Sequence, residues 1–171
     1  MAREESAAER ARVQAAVWQL LWAAQGITDP QGFRTTPSAG ALYALEIYVV
    51  TAAGVFHYLP EGDQLERQSA DDVRSALHRA ALEQESILTA RAVFVIAAVY
   101  GRLAKKCGEA RSPRYAHLEA GHAAQSMLLQ AVTLGLGSVA MGAFHDQQVQ
   151  RALSLPAEQL PVYLIAAGVP R

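Results

Sequence analysis

The stretch Arg34–Val50, RTTPSAGALYALEIYVV, decides how the rest of the chain is read. Its first half is a tight loop. Pro37 fixes one backbone torsion, Ser38, Ala39 and Ala41 are small, and Gly40 can enter conformations closed to other residues. Its second half is a strand, because Leu45, Ile47, Tyr48, Val49 and Val50 favour a pleated, half-buried backbone. On the residues alone this is a Pro/Gly loop before a buried strand, an ordinary junction where helices and strands mix. The same run of small side chains leaves backbone N–H and C=O groups bare, so a flat ligand can approach closely.

On the N-terminal side, Ser6-Ala7-Ala8-Glu9 fits a capping box. Val13, Val17, Leu20, Leu21 and Ala24 then recur at helical spacing as far as Gly26. The pattern predicts one amphipathic helix over Ser6–Gln25. Trp18 and Trp22 widen its apolar face and suit a core or subunit contact better than a stacked cofactor, since large aromatics mostly serve packing and interfaces.

On the C-terminal side, Ala52-Ala53-Gly54 is a turn and Val55–Leu59 returns as a second strand of a hairpin. His57 reads as a partly exposed strand residue with no second ligand type nearby. After a turn at Glu61-Gly62-Asp63, Ser69 and Asp72 suggest another capping box, with a helix over Asp71–Glu85. Ala92–Val99 is a continuous apolar run, as in a central strand covered on both faces. Tyr100–Pro113 is polar without a clear period and reads as a loop, where substrate contacts concentrate. Tyr115–Leu134 is a long helix whose Ala116, Ala120 and Ala123 would let another helix pack closely. Ser138–Ala143 is the next strand, Asp146 caps a short helix through Leu153, and Pro161–Ala167 is the last strand.

A chain of 171 residues suits one domain, 1–171, and can bury a real core. A net charge of −1 gives no reason to expect a nucleic-acid or membrane-surface partner. The longest apolar run, Ala92–Tyr100, is too short to span a bilayer, which needs ~20 residues. Cys107 is the single cysteine, so no intrachain disulfide can form, which is consistent with a cytoplasmic location.

Three constellations invite chemistry and support little of it. His117 and His122 lie five apart, which splays their rings on a helix, and a Glu119–His122 pair lacks a third metal ligand. That pair better suits a hydrogen bond at a buried interface. Cys107 beside Lys106 could be a thiolate, but no base is placed near it. Gly135 and Gly137 close a helix rather than open one, so a dinucleotide fold is not supported.

The loop-strand string resembles the PSxGALYPLEIYVV signature of the flavin-dependent nitroreductase superfamily. It is most similar to the SagB-type branch, which includes the peptide azoline dehydrogenases. Arg114–Gly121 (RYAHLEAG) followed by His122, and Leu134–Phe144 (LGLGSVAMGAF), resemble the same branch in the same order. The resemblance implies an α+β, nitroreductase-like fold: a mixed central sheet of about five strands, flanked by helices, in an intertwined homodimer centred on Tyr115–Leu134. It implies FMN as cofactor, and two-electron transfer between a reductant such as NAD(P)H and a small organic acceptor. Pro37, Ser38, Ala39, Gly40 and Leu42 would line the isoalloxazine. Met141, Gly142 and Ala143 would offer backbone donors to its N5 edge. Arg34 and Arg171 would hold the phosphate, which a guanidinium binds through two parallel hydrogen bonds. Lys106 matches the lysine of the branch's Lys-Tyr pair and would orient substrate or handle a proton. The tyrosine of that pair is Cys107 here, the proline of LYPLE is Ala44, and the family's RRSxR segment is matched only loosely by Arg3 and Ser6. These departures imply weakened FMN binding. They also keep open the alternative of a non-catalytic, dimeric binding or scaffold protein.

Overall fold

The computed structural model describes residues 7–170, with side chains from Gln14 onward. Helix α1 covers Ala7–Gln25, matching the expected helix; its proposed Ser6 cap, and Arg3, lie outside the described residues. Strands β1 (Leu45–Thr51) and β2 (Gly54–Leu59) form the expected hairpin, with Thr51 opposite Gly54. The central strand β4 is Ala92–Ala98, and all seven of its residues are buried. It stands between β1 and β6 (Leu160–Gly168), antiparallel to both. The edge strand β5 is Gly137–Met141, paired with β6.

The chain forms one more strand than the sequence predicts. Gln64–Ser69 is β3, paired with β2. Its pattern QLERQS offers only Leu65 to the core, so hydrophobic alternation could not reveal it. The sheet therefore has six strands in the order β3-β2-β1-β4-β6-β5. Every pairing is antiparallel, so the expected mixed sheet of about five strands becomes a fully antiparallel one of six.

Two layers of helix cover the sheet. On one face α1 and α5 (Ser112–Thr133) pack over Ile47, Val49, Phe94, Ile96 and Ile165. On the other, α2 (Arg74–Ala80), α3 (Ser86–Thr89) and α6 (Asp146–Ala152) pack over Val50, Val93, Val95 and Leu164. The predicted single helix Asp71–Glu85 is thus shorter. Leu82 and Glu83 take left-handed torsions, φ 55° and 57°, and break it. Ser69 does not cap it, because its hydroxyl bonds Asp71 instead.

Tyr100–Pro113 is not a loop. Helix α4 occupies Tyr100–Cys107, a short 3₁₀ turn Glu109–Arg111 follows, and α5 begins at Ser112. Only Leu103 of α4 is fully buried. Its 8 residues fall short of the window of about 11–18 over which a helical period is read.

The small residues of α5 face inward. Ala116, Ala120, Ala123, Ala124 and Ala131 are buried against α1 and the sheet, so α1 is the helix that exploits their close approach. The outer face of α5 carries Leu118, Leu129 and Val132, exposed by 54%, 60% and 72%.

Candidate functional site

The strand register gathers several chain segments at one end of the sheet. Leu45, where β1 starts, pairs with Ala98, where β4 ends. Ala98 pairs with Leu160, where β6 starts, and Met141, where β5 ends, pairs with Leu164. The Pro37–Ala44 loop and the start of α4 therefore share this end, while Met141 lies level with Val95 and Tyr48, three residues in from it, and Gly142 and Ala143 run on towards it. Laterally the loop and Met141 are three strand intervals apart, ~14 Å at about 4.8 Å per interval.

The loop is strained and firmly held. Ala39–Ala41 is a single 3₁₀ turn, with φ of 63° at Gly40 and 53° at Ala41, and Tyr43 follows at 46°. Left-handed torsions cost ~1–2 kcal/mol at non-glycine residues, so the surroundings must impose them. Tyr43 is fixed by all three of its polar groups. Its N–H donates to Ser38 Oγ (2.9 Å), its carbonyl accepts from Arg102 Nη1 (2.9 Å), and its hydroxyl accepts from the Arg34 N–H (3.0 Å). The Arg34 guanidinium lies over its ring, 4.4 Å from the centroid.

Beneath the loop lies a buried carboxyl. Ser38 Oγ donates to Glu119 Oε2 at 2.6 Å. Glu119 is 2% exposed, and its Oε1 has no hydrogen-bond partner among the described side chains. Burial pushes its carboxyl above the ordinary carboxylate range, opposed by the Ser38 hydroxyl, the Ala44 backbone, and the charges of Arg34 and Arg102. The expected partner, His122, is exposed instead. Glu119 is bonded instead to Ser38, 81 positions away, a partner that the three-residue spacing to His122 does not indicate.

Helix α4 clamps the loop from the other side. Arg102 and Lys106, four residues apart, share a face. Arg102 reaches the Tyr43 carbonyl and also pairs with Glu46. Lys106 reaches Gly40: a Cβ built there would meet Lys106 Nζ at 3.0 Å. Lys106 thus lies against the loop as expected, though it does so from a helix.

Beside the loop is a cavity of about 350 Å³, with Arg34, Gln25, Tyr43, Glu46, His57 and Arg102 in its wall. His57 bonds Glu46 at 2.6 Å and stacks on Tyr48, with ring centroids 4.6 Å apart. Burial raises the Glu46 carboxyl, but the His57 hydrogen bond and the Arg102 charge outweigh it, so its pKa is lowered. Arg34 Nη1 donates to Gln25 Oε1 at 2.9 Å.

The remaining predicted residues divide. Pro37 and Gly40 are exposed, and Ser38, Ala39 and Leu42 are half-buried. Met141 is buried, and Ser86 Oγ lies 3.4 Å from its sulfur. Gly142 has open space where a side chain would be, and the Ala143 carbonyl accepts from Gln84. Arg171 lies outside the described residues. Small, partly exposed loop residues and an open glycine backbone offer surfaces without bulky side chains, which suit a flat heteroaromatic group. Sequence reasoning missed Arg102, Glu46 and Tyr43 as a unit. The available signal was a lone carboxylate inside an apolar strand.

Residues 13–169 match the model of the Nitroreductase family. A nitroreductase homologue from Methanocaldococcus jannaschii is 42% identical over 155 residues, covering 87% of this chain and 77% of that one. A crystal structure of a nitroreductase homologue from Ralstonia eutropha superposes with a TM-score of 0.82 at 27% identity, covering 91% of this chain and 72% of the other. The NADPH:FMN oxidoreductase of Vibrio harveyi, complexed with NAD⁺, superposes with a TM-score of 0.65 at 20% identity, covering 99% and 62%.

Proposed function

The chain belongs to the nitroreductase family and is an oxidoreductase, and from that premise we propose that it works through FMN held between two copies of itself. Electrons would pass from NADH or NADPH to a small organic acceptor. The observation that carries this reading is that the pinned Pro37–Leu42 loop and Lys106 stand at the sheet end towards which the Met141–Ala143 backbone runs.

When bound, the flavin supplies the two-electron chemistry. The chain's residues bind and orient. Pro37, Ser38, Ala39, Gly40 and Leu42 offer a surface without bulky side chains. Gly142 and Ala143 offer backbone N–H groups to the ring edge. Arg171 would hold the phosphate; the guanidinium of Arg34, the other candidate, lies against Gln25 and over the Tyr43 ring. Lys106 holds a positive charge beside the loop, where it can orient an electron-rich acceptor or deliver a proton. The Ser38–Glu119 bond keeps the loop in its strained shape, so the surface is formed before the ligand arrives.

The second copy docks on the outer face of α5. Leu118, Leu129 and Val132 make an exposed apolar stripe there, and Trp22 of α1 is 44% exposed. Apolar groups gathered on one surface mark an interaction site.

Titration with FMN, followed by flavin fluorescence, tests the reading, with NADH and NADPH oxidation measured in the presence of a nitroarene. Saturable binding and pyridine-nucleotide-dependent reduction are expected. No binding at ~100 μM FMN, an affinity weaker than about −5.5 kcal/mol, overturns it.

A further inference from the structure

We propose that His57 is a positioning residue for the Pro37–Ala44 loop, acting through Glu46 and Arg102 on the Tyr43 carbonyl. His57 stands on β2 opposite Tyr48 of β1. Glu46 lies two residues before Tyr48, on the same face of that strand. His57 Nε2 is 2.6 Å from Glu46 Oε2. The Glu46 carboxyl is held below its ordinary range, so it accepts only, and the proton of this bond sits on Nε2. The second carboxylate oxygen, Oε1, takes Arg102 Nη2, and Arg102 Nη1 donates to the Tyr43 carbonyl at 2.9 Å. Three consecutive bonds run from a strand of the sheet to the loop.

The firmness of this chain is set at its strand end. The Arg102 side chain is 41% exposed, and an arginine that open to water gains little order from one ion pair. Left to itself it would sample many rotamers. The carboxylate it meets is nearly buried, and His57 fixes one of its two oxygens. The imidazole is itself clamped. Its ring stacks on Tyr48 with centroids 4.6 Å apart, and the Tyr48 hydroxyl donates to Gln159 Oε1 at 2.7 Å. A ring held on the sheet orients a carboxylate, and the carboxylate orients the guanidinium. At the far end Tyr43 takes φ 46°, a torsion that its surroundings must impose.

Without His57, Glu46 keeps Arg102 but loses its own orientation, and the Tyr43 carbonyl loses a rigid donor. The Tyr43 bonds to Ser38 and to the Arg34 N–H remain, so the loop is loosened rather than lost. A surface formed before its ligand arrives binds more tightly than one that must be ordered. His57 would then govern flavin affinity from two side chains away. That consequence rests on the flavin reading; the anchoring of the loop does not.

The test is a double-mutant cycle on flavin-free protein, read by NMR as amide hydrogen exchange at Tyr43. His57→Leu and Arg102→Met should each speed that exchange by about tenfold or more, as loss of a charged hydrogen bond implies. The double variant should be no faster than the faster single one, because both break the same chain. The His145 amide, bonded to the Ala80 carbonyl in another loop, should keep its rate. His57→Gln, whose amide nitrogen reaches the place of Nε2, should return most of the protection. If His57→Leu does not fold, His57→Asn, whose amide stops short of Glu46, replaces it in the cycle. Unchanged Tyr43 exchange in the single variants, additive effects in the double one, or no rescue by His57→Gln would each overturn the proposal. FMN titration of the same proteins by fluorescence should show affinity about tenfold weaker in His57→Leu and Arg102→Met and restored in His57→Gln. Equal affinity throughout would overturn the role of His57 in cofactor binding. A wild type that binds no FMN overturns the flavin reading alone and leaves the exchange data to decide on His57.

Discussion

Ser38 and Glu119, 81 positions apart in sequence, share a 2.6 Å hydrogen bond that ties the strained loop to the N-terminal half of α5. The same hydroxyl accepts the Tyr43 N–H, so one side chain joins α5, the loop entrance and the loop exit. Ser38→Ala should cost about 1–3 kcal/mol, because it leaves the carboxyl buried without its donor. The pH dependence is also fixed in sign. Burial raises the Glu119 carboxyl above its ordinary 4.5, so the folded state holds that proton more tightly than the unfolded state. The favourable contribution is complete below about pH 4.5 and is lost as pH rises through the folded value. Glu119→Gln removes this dependence. Urea unfolding between about pH 4 and 7 should show the wild type losing stability relative to the variant as pH rises. Parallel curves would refute the assignment.

Glu46 behaves in the opposite sense. The His57 hydrogen bond and Arg102 outweigh burial and hold its carboxyl below 4.5. Its contribution is present above the ordinary value and is lost as pH falls through the folded value. Glu46→Gln should destabilise by about 1.5–3 kcal/mol at neutral pH, the range for charged hydrogen bonds. The difference should shrink in acid, as chemical denaturation at about pH 3 and 7 would reveal. A difference that stayed constant would mean that packing, not charge, explains the cost.

If the second copy docks on the outer face of α5, the two faces of this helix separate folding from assembly. Ala120 is 3% exposed and packs inward. Ala120→Leu should therefore overpack the core and lower stability by about 1–3 kcal/mol. Leu129, 60% exposed, touches little within its own chain. Leu129→Asp should leave the thermal midpoint of the monomeric chain almost unchanged and shift sedimentation towards the monomer. Unchanged sedimentation of Leu129→Asp would place the interface elsewhere.

How much of this was legible in the sequence depended on what each segment buries. β4 was plain because all seven residues go into the core. α1 and α5 were legible as long runs rich in helix formers, although neither carries a sharply one-sided apolar face. β3 was invisible because an edge strand with one apolar side chain is held by backbone hydrogen bonds, which leave no mark on composition. α4 was misread because it is short and its charged residues, Arg102, Lys105 and Lys106, outnumber its one buried residue, Leu103. The Arg34–Val50 string was legible as a loop before a strand. Its three-point anchorage through Tyr43 was not, since the partners Ser38, Arg34 and Arg102 come from two separate segments.

Gly40 and Lys106 offer the most direct handle on the proposed chemistry. Gly40 takes φ 63°, and a Cβ there would lie 3.0 Å from Lys106 Nζ. The ammonium end of a lysine moves easily, so steric conflict alone is cheap. The torsion is not, and Gly40→Ala should cost about 1–2 kcal/mol while pushing Lys106 away from the loop. Lys106→Met keeps most of the side chain's bulk and removes the charge. If Lys106 orients the acceptor or supplies a proton, Lys106→Met should lower kcat for acceptor reduction by about tenfold to a thousandfold with FMN still bound. Gly40→Ala should show a smaller loss of the same kind. Cys107, the next residue, is the control. It is half-buried at the end of α4, and its backbone carbonyl accepts from Arg111 Nε. Cys107→Ser should retain most turnover. Steady-state rates on flavin-loaded protein decide the matter. Full activity in Lys106→Met would remove Lys106 from the mechanism, and complete loss in Cys107→Ser would move the chemistry to the thiol.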